Sequence, residues 1–264
     1  MLIESTVHLP VGFAFLQDLF HGPTGDQLPR IILRWLHFVA GITWIGLLYF
    51  FNLVNVPVQK IMDADTKKKV NPDLLGRSLW YFRWGAVVTV LVGLTYYAMY
   101  ILRADVVNAN AAGGNVNVWL LLAVWFIVPI VTFAIEFAII NKVPALIKDG
   151  RVFAVVAAVL VILMSALIVY WFDASLQVGR DNFASNKTYS IGIGGALGLI
   201  MLLNVWGIIW PAQKRILAGL QGGPAAAPEL ARRAFIASRT NAWLSLPMLL
   251  FMGTSHGDWI ILGR

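Results

Sequence analysis

Val152-FAVVAAVLVILMSALIVYW-Phe172 is a run of twenty-one residues without a single charge. As an α-helix it rises about 30 Å, the thickness of the hydrocarbon core of a bilayer. Four more runs of this kind lie at Ile31–Val56, Trp80–Leu102, Val118–Ile140 and Tyr189–Trp210. A shorter sixth, Asn241–His256, extends backward through Leu230–Thr240 if Arg232, Arg233 and Arg239 snorkel to the interface. The fold class expected is all-α: a polytopic membrane bundle of about six spans occupying residues 31–264. Residues 1–30 are expected to form a segment on one side of the membrane. Within it, Val11–Phe20 is too short to span and carries Asp18, so it reads as an interfacial helix.

Composition agrees with that reading. Of 264 residues, 59% are hydrophobic and only 12% charged, and the mean hydropathy is +0.75. Soluble domains carry about 25% charged residues, so a water-soluble enzyme, a disordered chain and a nucleic-acid-wrapping protein are all excluded. The net charge of +7 therefore points to loops on one face of a membrane, not to a nucleic acid partner. Fourteen of the twenty Lys and Arg residues fall on one side of the expected bundle: Lys60, Lys67–Lys69, Arg77, Arg83 and those following the third and fifth spans. The positive-inside rule places that side in the cytoplasm and both termini outside. A bacterial inner (cytoplasmic) membrane is the expected location. The sequence contains no cysteine, which excludes disulfides, thiolate metal sites and covalently attached c-type haem.

Six crossings return the chain to the side on which it started. His37, near the outer end of the first span, and His256, at the outer end of the sixth, therefore come to matched depth on different helices. A helical bundle grips a haem or a metal with this arrangement. At helical spacing His37 shares its face with Gly41 and Trp44, and His256 with Gly253 and Met252. Glycine one turn from each ligand leaves room for a flat macrocycle. The competing reading is close helix packing through small residues. Arg30 and Arg34 flank the same end as candidate partners for propionates, or as interfacial anchors. The expected cofactor is a b-type haem on His37 and His256. Copper on His37, His256 and the Met252 thioether is the alternative. Asp258 is a candidate to orient His256, whereas His8 and His21 read as solvated.

Glu136 is the one acid well inside a span, where a carboxyl signals a proton or ion site, or snorkels to the interface. Asn52, Asn55, Asn204 and Asn241 read as interhelical hydrogen bonds. Gly192-Ile-Gly-Gly195 lacks the lysine and strand context of a phosphate loop and reads as close helix packing.

Three stretches carry a resemblance: Leu33-RWLHFVAGITWIGLLYFFN-Leu53, Asn204-VWGIIWPAQKRI-Leu217 and Ala231-RRAFIASRTNAWLSLPMLLFMGTSH-Gly257. Together they resemble the N-terminal membrane domain of the bacterial cytochrome c-linked urate oxidases, and the likeness extends over nearly the whole chain. It implies a membrane oxidoreductase or a subunit of one, working with a c-type cytochrome that follows the membrane domain in that family. These residues hold no Cys-x-x-Cys-His, and the sequence ends soon after Ser255-His256-Gly257. One or more final helices are thus expected to be missing, and electrons are expected to leave through another redox or membrane polypeptide. A structural or assembly subunit of a larger membrane complex, and a transporter built around Glu136, are the other readings. Reporter fusions to the two termini are expected to show both on the outer side. Both ends in the cytoplasm would overturn the charge argument.

Overall fold

Asn186–Leu220 is the most enclosed of the apolar runs. Of its apolar window 67% is buried, against 28% or less in the other four. In the computed structural model, which describes residues 23–256 and 261–262, this run is the axis of an all-α bundle. The expected interfacial helix at Val11–Phe20, His8, His21 and Asp258 lie outside the described residues.

The helices are α1 (Gln27–Tyr49), α2 (Val56–Ile61), α3 (Ala64–Tyr96), α4 (Arg103–Ala111), α5 (Val118–Lys142), α6 (Pro144–Lys148), α7 (Gly150–Leu176), α8 (Asn186–Asn204), α9 (Trp210–Leu220) and α10 (Pro228–Thr254). Widened turns of the π type at Phe50–Asn55, Tyr97–Leu102 and Val205–Ile209 join α1 to α2, α3 to α4 and α8 to α9. Two of them directly precede Pro57 and Pro211, whose missing N–H groups break the regular ladder there. Among the described residues the only strands are β1 (Gln177–Val178) and β2 (Asp181–Asn182). They form a hairpin whose tight turn places Gly179 at φ +62°.

Five helical runs are long and apolar enough to cross a membrane: Gln27–Ile61, Ala64–Ala111, Val118–Lys142, Gly150–Leu176 and Asn186–Leu220. The chain is thus a multi-pass membrane protein. The expected sixth span coincides with α10, a continuous helix of 27 residues that takes in Arg232, Arg233 and Arg239 and is not among those five. Those arginines do more than reach for headgroups. Arg232 donates to the main-chain carbonyls of Ile147 and Lys148, and Arg233 to the side chain and carbonyl of Asn141.

The second run is the main departure from expectation. Its helix starts sixteen residues before Trp80, because Asp63 caps it at Ala64. Asp63 accepts from the Thr66 hydroxyl at 2.6 Å and from the Asp65 and Thr66 amides at 2.9 Å. These bonds, the hydroxyl first, hold its carboxyl below the usual aspartate range. Lys67–Lys69 and Arg77 therefore ride on the first turns of a helix instead of a loop. Arg83 sits mid-helix, its guanidinium 3.8 Å from the centre of the Trp210 ring.

Glycines on α8 set the packing around the axis. A Cβ at Gly192 would lie 2.5 Å from Phe172 of α7, at Gly194 3.3 Å from Phe251 of α10, and at Gly195 3.4 Å from Trp125 of α5. The reading of Gly192–Gly195 as a close-packing face agrees with these contacts. Near its N-terminus α8 is also tied to α4, since Asp105 accepts from the Ser185 amide at 2.7 Å and the Thr188 hydroxyl at 2.6 Å. Asp105→Ala leaves the buried Thr188 hydroxyl and the half-buried Ser185 amide unfilled. It is expected to cost about 1.5–3 kcal/mol, the range for hydrogen bonds to charged groups. The check is the thermal midpoint in detergent, with Asp105→Asn expected to lose less.

Candidate functional site

His37 is held from two sides. Its Nδ1 lies 2.9 Å from the main-chain carbonyl of Thr89 on α3, and its ring rests against Gly93 one turn further on. A carbonyl only accepts, so Nδ1 carries the hydrogen and Nε2 is left with the lone pair. The fit is close: a Cβ at Gly93 would stand 2.6 Å from His37 Nδ1 and Cε1.

His256 is fixed in the same sense. Its Nδ1 lies 3.1 Å from the Met252 carbonyl and 2.9 Å from Ser255 Oγ. The Ser255 hydroxyl itself donates to the Met252 carbonyl at 2.7 Å, which leaves its oxygen free to accept from His256. In both histidines Nδ1 is the donor, and Nε2 is the nitrogen available to a ligand. Main-chain or carboxylate anchoring of the second ring nitrogen is how metal-binding histidines are commonly oriented.

The two residues line one cavity of about 470 Å³, bounded by α1, α3, α5, α8 and α10. Arg34, Gly41, Trp44 and Met252 line it as well. The volume is within the roughly 300–1,000 Å³ of small-molecule and cofactor sites. Arg34 and His256 are exposed at the end of the bundle where α1 begins and α10 stops, and Phe38 and Ile42, which line the cavity along α1, are exposed as well. Deeper in, Trp44 is 1% exposed, and Tyr49 hydroxyl and Ser245 Oγ are bonded at 2.9 Å. Arg30 turns aside, its guanidinium 4.8 Å from the centre of the Tyr100 ring.

One of the expected residues is placed elsewhere. Gly253 is exposed and does not line the cavity, and a Cβ there would meet nothing within 4 Å. The cause is local. α10 ends at Thr254, so His256 stands beyond the last helical turn, and of the two positions spaced back from it Met252 lines the cavity and Gly253 does not. At Gly41 a Cβ would make only an ordinary 3.7 Å contact with Thr89. Clearance beside His37 comes from Gly93, which sequence spacing along a single helix has no means of finding. Met252 lines the cavity, but its methyl end packs against α8 at Gly194. Among the described residues no group of three or more His, Asp or Glu is placed to hold a metal ion.

The urate oxidase N-terminal family model matches residues 62–261. The chain belongs to that family. No curated protein and no solved structure matches it. Within the matched span lie Thr89, Gly93 and His256. The helix that carries His37 and Trp44 precedes it.

The Gly93–His37 contact yields a direct test. Gly93→Ala is expected to drive the imidazole off the Thr89 carbonyl, while Gly253→Ala leaves it in place. Nitrogen chemical shifts of the His37 ring, which separate an anchored Nδ1–H from a free one, distinguish the two. An unmoved ring in Gly93→Ala would refute the packing described.

Proposed function

We propose that this chain is an integral-membrane redox subunit of the urate oxidase type, holding a b-type haem between His37 and His256 near one membrane face. It is read as part of a membrane oxidoreductase in the bacterial inner membrane, passing electrons to a separate cytochrome c or another redox subunit. The observation that carries the reading is the matched anchoring of the two histidines: each Nδ1 is committed to a main-chain carbonyl, and each Nε2 is free beside one shared cavity.

The residues present fit such a group. His37 and His256 would hold it through their Nε2 nitrogens, and Gly93 permits the His37 ring its position. Arg34 at the open end is suited to pair with propionates through bidentate bonds. Bound there, the haem would supply one-electron transfer close to the surface. The Thr89 and Met252 carbonyls hold the tautomers, and the Trp44 side chain closes the inner end against water. Whether urate itself is the reductant rests on the family alone. With no cysteine in these residues, a covalent c-type haem has to sit in other residues than these.

Copper on the same histidines with Met252 is the second reading, favoured only by the presence of Met252 at the cavity. A structural subunit without cofactor is the non-catalytic alternative. Protein purified from its native membrane is expected to show a Soret band and iron in about one-to-one ratio with the chain. The band is expected to be lost in His37→Ala and His256→Ala. Absence of the band, or a band unchanged in the double variant, refutes haem ligation, and copper without iron favours the second reading. The chain by itself, given urate and cytochrome c, is expected to sustain no cytochrome reduction.

A further inference from the structure

A second polar site lies away from the cavity, where α5, α8 and α10 meet. Glu136 is 4% exposed, and Asn204 and Asn241 are fully buried. The orientations of the amides follow from one another. Asn241 Nδ2 donates to the Met201 main-chain carbonyl at 2.9 Å, a group that only accepts. Asn241 Oδ1 must then receive a hydrogen, which Asn204 Nδ2 supplies at 3.0 Å. The same Nδ2 gives its second hydrogen to Glu136 Oε1 at 3.1 Å. Asn204 Oδ1 is left buried with no partner.

Among the described residues no cation is paired with Glu136, and Arg83 of α3 lies over the Trp210 ring. Arg233 of α10 is bonded to Asn141, Arg232 to the Ile147 and Lys148 carbonyls, and Arg239 lies over the Phe235 ring. On α7 no charged residue occurs between Arg151 and Asp173, and from α8 into α9 none between Lys187 and Lys214. An ionised carboxylate enclosed by neutral amides within a membrane domain is strongly disfavoured. A bare metal ion is a poor remedy. Asn241 Oδ1 is already filled, the Thr132 hydroxyl donates to the Val128 carbonyl, and an amide hydrogen points at Glu136. Too few free oxygens remain for the six or more that hard cations take. A proton removes the charge and also creates an O–H donor in a cluster that holds an unfilled acceptor.

We propose that Glu136, with Asn204 and Asn241, is an intramembrane proton-binding site, occupied at neutral pH and distinct from the histidine cavity. Asn204 is five residues from Leu199 on α8, and Asn241 seven from Met248 on α10, and both of those residues line the cavity. Along the two helices the proton site is thus about 8 to 10 Å from the cavity. The inference does not depend on what the cavity binds.

Infrared spectroscopy of the purified chain in H₂O and D₂O tests it. The C=O stretch of a protonated carboxylic acid is expected at neutral pH. It should shift in D₂O, be absent from Glu136→Gln and be indifferent to exchange of sodium for potassium. Asn204→Leu is expected to move the band to higher frequency, because the carboxyl loses its amide partner. No acid band in the wild-type protein, a band that persists in Glu136→Gln, a band abolished by sodium, or one unmoved in Asn204→Leu would each overturn the proposal. The wild-type measurement decides the matter by itself if Glu136→Gln does not fold.

Discussion

The close seating of neighbouring helices on α8 is the constraint from which the rest of the molecule follows. In a bilayer the apolar surface of a helix gains little by leaving lipid, so association depends on how near the backbones come. Gly192, Gly194 and Gly195 present successive sides of α8 to Phe172, Phe251 and Trp125. A methyl group at Gly192 would collide outright, and one at Gly194 would push α10 outward. Since α10 delivers His256 and Met252 to the cavity, the shape of the cavity is set by glycines that touch neither histidine.

With the helices seated, each functional group is positioned by a main-chain carbonyl. The Thr89 carbonyl fixes His37 across the α1–α3 interface, and Met252 fixes His256 within its own turn. Met201 begins the chain of amides that ends on Glu136. Main-chain carbonyls in a helix move only with the helix. Side-chain orientation in this protein is thus a direct readout of how the bundle is packed.

Much of this was legible in the sequence, for identifiable reasons. Length and hydropathy located the apolar helices, and the expectation that His37 and His256 come together agrees with their lining one cavity. Helical spacing from His37 reached Gly41 and Trp44, which line the same cavity, because α1 is regular across them. The same step from His256 failed at Gly253, because the helix stops at Thr254. Gly93 and Thr89 were invisible, since their roles arise from α3 lying against α1 and leave no periodic trace in either segment. Lys67–Lys69 and Arg77 were read as loop residues because the capped start of α3 is polar, and hydropathy reads polar helix as loop. Asn204, Asn241 and Asn52 were recognisable as interhelical donors by their apolar surroundings, but their partners were not.

The widened turn at Phe50–Asn55 divides the long N-terminal helix into two independent faces. One residue added to a turn rotates everything beyond it by about 100° about the axis. Before the turn, His37 and Trp44 address the cavity. Within it, Asn52 instead bonds the Ser238 side chain of α10 at 2.9 Å and folds back to the Leu48 carbonyl at 3.0 Å. A strictly regular helix would tie those two addresses together, so that any adjustment of one would swing the other. With the turn in place, the upper half of the helix is free to drift in sequence under the demands of what it binds, while the lower half keeps its own grip on the bundle.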